Sequence, residues 1–595
     1  MSSKNRWLIS LATVSALTFL LVLTRGIVFE TVDDVNVMYS IAGYKTGSPY
    51  WQLTFYNSIY AFLISIFYRI TGAVSWYALF QFLSIFFSFV TIMYVFLEAV
   101  RAEKENIRIH IAVFSCLYIS SYMYIQQRMQ FTTTSAILGA AGLCLMYLYT
   151  KDGKRSNLIV SGLFVLLSCL NRRLTGLICV ILWAGLYAVN LFLKYHEARR
   201  LNKQKKEETP KKPLRKKLFA VGVIAVTLTV IGGFLGGDII VKWTMDNKDY
   251  MNYDKYRGMY QDYKKPAFAE NEDLYASIGW DKTVYELAQS LVYIDPAFNE
   301  ESFKTIVTSD RYNPGYPPKE AVRFFYNLLY QEPAALIVTL TTAFFAILAI
   351  LALWHERSYQ PIYLIMYALA AWVFLIAYLS LKGRLPLRVM LMITLPPLSL
   401  IFVIAMSALK ELKLELSKLS MMVFPVLIAL AFPALGNVYI RLKSKDSYST
   451  KIMADFIDYA TEHPENVYIH DYSISNTYNS YSPFKTYADK KPTNVIISGG
   501  SYTFTGCYYE QLRVNGLEKL DGETLFDNNV YFVCDLGREP FPSRTMDYLL
   551  ERYENANCVL VDTVSDEKVG IFKFIIYDGG ENPQTDDLEY NTSKS

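Results

Sequence analysis

Apolar residues come in long blocks, at 7–27, 75–97, 109–125, 131–149, 157–170, 174–193, 218–241, 334–354, 361–381, 387–408 and 419–439. Most are close to the roughly 20 residues that cross a hydrocarbon core of about 30 Å. The pattern predicts a polytopic α-helical membrane protein of about eleven transmembrane helices. The block at 52–70 differs. Thr54, Ser58, Ala61, Ser65 and Arg69 recur at spacings of three and four and draw a small or polar stripe down one helical face. Such a helix is expected to lie in the membrane interface, with 75–97 crossing after it. Beyond about 445 the period changes. Tyr448–Glu462 reads as an amphipathic helix, and short β-type runs follow at 466–471, 494–498, 530–534, 558–564 and 570–576. Helical stretches intervene near 503–515 and 542–554, so the tail reads as a small α/β domain with a frayed polar end at 578–595.

Charge orients the spans. Lys4 and Arg6 precede the first block, and Lys194–Lys217 carries eleven Lys/Arg against three Glu. Basic loops stay in the cytoplasm, which puts the N-terminus inside and the tail outside the cell membrane. The expected organisation is a membrane module at 1–241 with its first external loop at 28–74. An external loop at 242–333, four further helices over 334–440 and an extracytoplasmic domain at 441–595 complete it. At 53% hydrophobic and 15% aromatic, the 595 residues fit a chain embedded in a bilayer. The basic run lacks a folded reading surface, so no nucleic-acid partner is expected. The seven cysteines show no metal or redox spacing.

Candidate chemistry starts at Asp33-Asp34, just beyond the first block. Carboxylates at a membrane surface are solvated, paired or used. Either acid suits a helix N-cap. Together they suit a general base with a neighbour that orients substrate, and also a divalent ion. A second set is Arg128, Arg172, Arg173, Lys382, Arg384 and Arg388, all in short turns expected outside, against the usual charge bias. Arginine's planar fork matches phosphate oxygens, so these are candidates for a lipid-phosphate seat. In the 242–333 loop, Asp246, Asp249, Tyr250, Asp254 and Arg257 are candidates for substrate contact, with Tyr and Trp suited to sugar faces or to the interface belt. The turn Ser498-Gly499-Gly500-Ser501, between a strand and a helix, suits an anion. His470-Asp471 reads as a strand end.

One span, an external acidic pair, a non-crossing helix and further spans together resemble the GT-C superfamily of membrane glycosyltransferases. Protein O-mannosyltransferases and lipid A aminoarabinose transferases belong to it. The resemblance rests on Asp33-Asp34, on Met38, and on Ser48-Pro49-Tyr50-Trp51 leading into Asn57–Ile70. It implies a seven-helix module and transfer of a sugar from a polyprenyl-phosphate-linked donor, with inversion. The acceptor would be a cell-surface glycan, lipid or protein. Asp33 would serve as base, Asp34 would orient substrate, and Arg172, Arg384 and Arg388 would hold the lipid phosphate. Where many relatives carry Glu at the second acid, this chain has Asp34. Three other readings share these features: a transporter or flippase for a lipid-linked glycan, a catalytically inactive membrane scaffold, and an acyltransferase, which would want an external His.

Overall fold

The computed structural model describes residues 1–204, 214–355, 359–411, 449–471, 482–537 and 543–577, with 426, 428–430 and 474 besides. Most of the span expected at 419–439, the polar end at 578–595 and the middle of the basic run lie outside the described residues. Among the described residues nine helices are long and apolar enough to cross a membrane: Ser3–Arg25, Trp76–Ala99, Ile107–Gln127, Phe131–Asp152, Arg173–Glu197, Leu218–Thr244, Pro333–His355, Gln360–Leu381 and Leu387–Lys410. The chain is a multi-pass helical membrane protein. The expected crossing at 157–170 is a helix of 17 residues, Arg155–Asn171, shorter than the other nine.

The chain divides into two compact units. The first comprises 1–30, 78–240 and 315–443; the second comprises 31–77, 241–314 and 444–595. The first unit is built around Phe131–Asp152, whose apolar window is wholly buried. Small residues let its neighbours approach. Gly142 lies against the Ser161 carbonyl and Val165, Ser161 Oγ donates to the Gly142 carbonyl at 2.6 Å, and Trp183 Nε1 donates to Ser161 Oγ at 2.5 Å. Leu387–Glu411 is nearly as buried despite Pro396 and Pro397. The helix Ile107–Gln127 contains a π turn at Tyr118–Tyr122, a local widening that occurs often at functional sites. By contrast, Leu218–Thr244 is mostly exposed, and an apolar groove lined by Ile159, Leu163, Leu166, Phe219, Val223 and Val226 runs beside it. Two short strands, β1 (Val28–Phe29) and β2 (Arg128–Met129), pair in parallel.

In the second unit the tail folds as a five-stranded sheet: β3 (Val467–His470), β4 (Val495–Ile497), β5 (Val530–Asp535), β6 (Ala556–Val564) and β7 (Val569–Ile576), in the order β4-β3-β5-β7-β6. The first three run parallel, while β7 is antiparallel to β5 and β6. Helices Ser449–Glu462, Gly506–Val514 and Ser543–Arg552 stand where the apolar period placed them.

Three segments take a more definite form in the structure than the sequence displays. The segment 242–333 is helical, at Lys248–Asp262, Lys282–Ser290, Glu300–Thr308 and Pro318–Gln331. Its aromatics form a core. Tyr253, Tyr260, Trp280, Tyr293, Phe298 and Phe303 are buried in one cluster that continues into the sheet residues Ile469, Ile496 and Phe532. They pack edge to face, as Trp280 does on Phe303 at 5.4 Å. The helix expected at 52–70 begins at Ser58, and its small stripe faces inward. Ser58, Ala61 and Ser65 are buried while Phe62, Leu63, Ile66 and Phe67 are exposed. At 13 residues it is about 20 Å long, too short to cross, and an outward apolar face suits lipid. The turn 498–501 is packed closed: Tyr293 N donates to the Ser498 carbonyl at 2.8 Å, and a Cβ on Gly499 would collide with the Leu291 carbonyl.

The shared aromatic core predicts a large loss from one truncation. Phe303→Ala should destabilise the second unit by about 3–5 kcal/mol, read as a lowered unfolding midpoint in detergent. An unchanged midpoint would contradict a single core.

Candidate functional site

The helix Val32–Ala42 opens with both acids in its first turn, and Thr31, not either Asp, is its N-cap. Asp34 is 0% exposed. Its carboxylate accepts from Thr31 Oγ1 at 3.1 Å and from the Tyr77 hydroxyl at 2.9 Å. Tyr77 is itself fixed, since its N–H donates to the Tyr68 hydroxyl at 3.0 Å and its ring lies 5.6 Å from Tyr56. A buried carboxylate held by hydroxyl donors anchors the turn. Asp33 is half-buried in the same turn, and its carboxylate has no hydrogen-bond or ion-pair partner among the described residues. The two acids therefore differ: one is used by the fold, the other is open.

A divalent ion clasped by both acids fits poorly, because both oxygens of Asp34 already accept hydroxyls. Among the described residues no three His, Cys, Asp or Glu side chains gather as metal ligands.

In the first unit the β1–β2 pair brings Glu30 beside Arg128, with Glu30 N donating to the Met129 carbonyl at 2.9 Å. Arg128, 5% exposed, pairs with Glu30 at 3.2 Å, and the Tyr124 hydroxyl donates to Glu30 at 2.8 Å. A cleft lined by Glu30, Tyr124, Arg128, Thr133 and Arg388 opens here. Arg388 has no hydrogen-bond or ion-pair partner among the described residues, so the cleft carries one cation beyond its internal pair. Next to Arg128 in sequence, Gln127 is 0% exposed, and neither of its amide atoms meets a hydrogen-bond partner among the described residues.

The structure thus joins Arg128 and Arg388 and leaves the other predicted cations apart from that cleft. Arg172 lies over the Phe131 ring at 5.2 Å, Arg173 and Lys382 are exposed, and Arg384 is half-buried in its turn. Of the loop residues, Tyr250, Asp254 and Arg257 form one network within the second unit. Buried Arg257 pairs with Asp254, and the Tyr250 hydroxyl donates to Asp254 at 3.0 Å and to the Ser501 carbonyl. Asp246 and Asp249 are exposed, and Asp246 accepts from the Tyr50 hydroxyl at 3.1 Å. Glu30 and Tyr77 escaped the sequence reading. Glu30 stands in the same acidic stretch, which was the signal available; nothing local marks Tyr77 as a carboxylate donor.

No family model and no curated protein matches this chain. ArnT from Cupriavidus metallidurans, in a crystal structure of its apo state, is similar at 11% identity over 96% of this chain and 98% of that one, with a TM-score of 0.37. At that score the likeness carries no argument about activity.

Two outcomes follow from the buried groups. Tyr77→Phe removes a charge-assisted bond and should cost about 1.5–3 kcal/mol, seen as a lower unfolding midpoint. Glu30→Gln strips Arg128 of its counter-charge and should cost about 3 kcal/mol, the lower part of the range for breaking a buried pair. The double variant Glu30→Gln with Arg128→Met should recover much of that loss in the same assay.

Proposed function

We propose that this protein is a membrane glycosyltransferase of the outer face, moving a sugar from a polyprenyl-phosphate-linked donor to a hydroxyl-bearing acceptor. The observation that carries the reading is the asymmetry of the acidic pair: an anchored Asp34 beneath an open Asp33. General-base work needs a carboxylate that is held in place and yet available. Asp33 takes the proton of the acceptor hydroxyl as its oxygen attacks the anomeric carbon. The bond from that carbon to the donor phosphate breaks on the opposite face, so configuration inverts. The lipid phosphate departs with the electron pair and needs little acid help. Its charge needs cations instead, and Arg388, one of the arginines expected to seat lipid phosphate, is proposed for that role. The apolar groove beside Leu218–Thr244 suits the prenyl chain of such a donor. The acceptor, whether surface glycan, lipid or protein, meets Asp33 from the extracytoplasmic side. The sheet domain lies on that side in this reading.

The test uses full-length protein in nanodiscs with polyprenyl-phosphate-linked sugars, following transfer by mass spectrometry. Wild type should transfer sugar with inversion. Asp33→Asn should lose about 10²–10⁴-fold in turnover with donor binding retained. Arg388→Ala should weaken donor binding. Donor that binds while no sugar leaves under any acceptor would contradict the proposal and favour a carrier of lipid-linked glycans.

A further inference from the structure

A crevice in the second unit, separate in its residues from Asp33, holds a cation that the fold does not pair. It is lined by Asn36, Tyr39, Lys45, His470, Val495 and Ile497, and is tightly enclosed. Lys45 is 6% exposed. Its Nζ donates to Asn36 Oδ1 at 2.7 Å and stands 3.1 Å from the centre of the Tyr502 ring. Among the described residues no carboxylate pairs with it. Lysine is almost never buried this far without a counter-charge, because an unpaired charge loses its solvation. With Oδ1 turned to Lys45, the Asn36 amide nitrogen has no protein acceptor among the described residues and is a second donor. The place is also suggestive. His470 ends β3 and Ile497 ends β4, and β3 has β4 on one side and β5 on the other. Open α/β sheets take ligands outside the carboxyl ends of their strands, where neighbouring connections diverge.

We propose that this crevice is a binding site for a small monovalent anion, chloride or a carboxylate group, with Lys45 as its cation and the Asn36 amide as its second donor. The proposal does not rest on the glycosyltransferase reading. Size limits the ligand, since the enclosed space of about 10 Å³ is close to that of a single small ion or one carboxylate oxygen. Titration supports it. Burial lowers the Lys45 amine to about 7 and the neighbouring His470 to about 4, and raises the Cys507 thiol and the Tyr502 phenol. The other charged groups nearby are engaged: Glu510 pairs with Arg513, and Lys491 donates to the Gly47 carbonyl. Asp471, which follows His470 and is 0% exposed, accepts from Ile474 N at 3.4 Å. A lysine protonated below its lowered pKa holds an anion there and releases it as pH rises.

The experiment is thermal unfolding of the full-length protein in detergent at pH 6 and pH 8.5. Chloride, formate or acetate is titrated against a bulky sulfonate salt at equal ionic strength. At pH 6 a saturable rise in the midpoint is expected, with at least tenfold weaker apparent affinity at pH 8.5. Lys45→Met should abolish the response. Should that variant fail to fold, Asn36→Asp supplies a fixed counter-charge and should also abolish it, at an equal or higher midpoint. A response to chloride and formate alike supports a free ion. A response to the carboxylates alone supports the acid end of a larger ligand. No saturable response in wild type, equal affinity at both pH values, or an undiminished response in the variants overturns the proposal.

Discussion

A carboxylate taken wholly out of water must be given donors, and Asp34 receives two hydroxyls. That constraint fixes the start of the helix Val32–Ala42. Thr31 is a neighbour in sequence, while Tyr77 lies 43 residues on. The pairing therefore closes the segment 34–77 onto itself. Everything else the helix carries inherits this position: Asp33 in the same turn, Asn36 one turn on, and Ser40, whose hydroxyl meets the Cys507 sulfur at 3.5 Å. A helix of 11 residues would be marginal alone. Here its burial and its anchored first turn hold it.

Electrostatics repeats the theme in each unit. In each unit a buried arginine is held by a built-in acid, Arg128 by Glu30 and Arg257 by Asp254. Truncating one member leaves its partner stranded, which is costlier than removing both. Against that background the groups without a protein partner gain meaning. Among the described residues Asp33, Arg388 and Lys45 have no ion-pair partner, and each is proposed to meet a ligand instead. Charged side chains kept available beside well-paired ones are a usual mark of sites that act on something else.

Much of the architecture was legible. Twenty-residue apolar blocks have few alternatives in a chain of this kind, and nine of them are helices of spanning length. The five strands were legible because β-branched and aromatic runs of four to eight residues stood between turn residues. What escaped was partnership across distance and the polarity of Tyr. Glu30 and Arg128 are 98 residues apart, and no local pattern joins them. The Tyr and Trp residues of 242–333 read as suited to sugar faces or the interface belt, yet the rings of Tyr253, Tyr260 and Trp280 lie in the core of the second unit. The stripe at Ser58, Ala61 and Ser65 was legible as a stripe, but its direction was not. Beside lipid the apolar face turns outward and small residues serve close packing. Lys45 lies between Gly43 and Gly47, and nothing local marks it as buried. Its neighbours include Ile457, His470, Val495, Ile497 and Tyr502, more than 400 residues on, which local sequence cannot display.

The most direct test of the central claim replaces Asp33 by Ala and offers azide as the acceptor. Azide attacks without losing a proton, so it needs no base. The account predicts that Asp33→Ala, which should be nearly inert toward a hydroxyl acceptor, forms a glycosyl azide of inverted configuration from the lipid-linked donor. Full activity of the variant toward the hydroxyl acceptor, or donor bound with no azide product, would contradict Asp33 as the base.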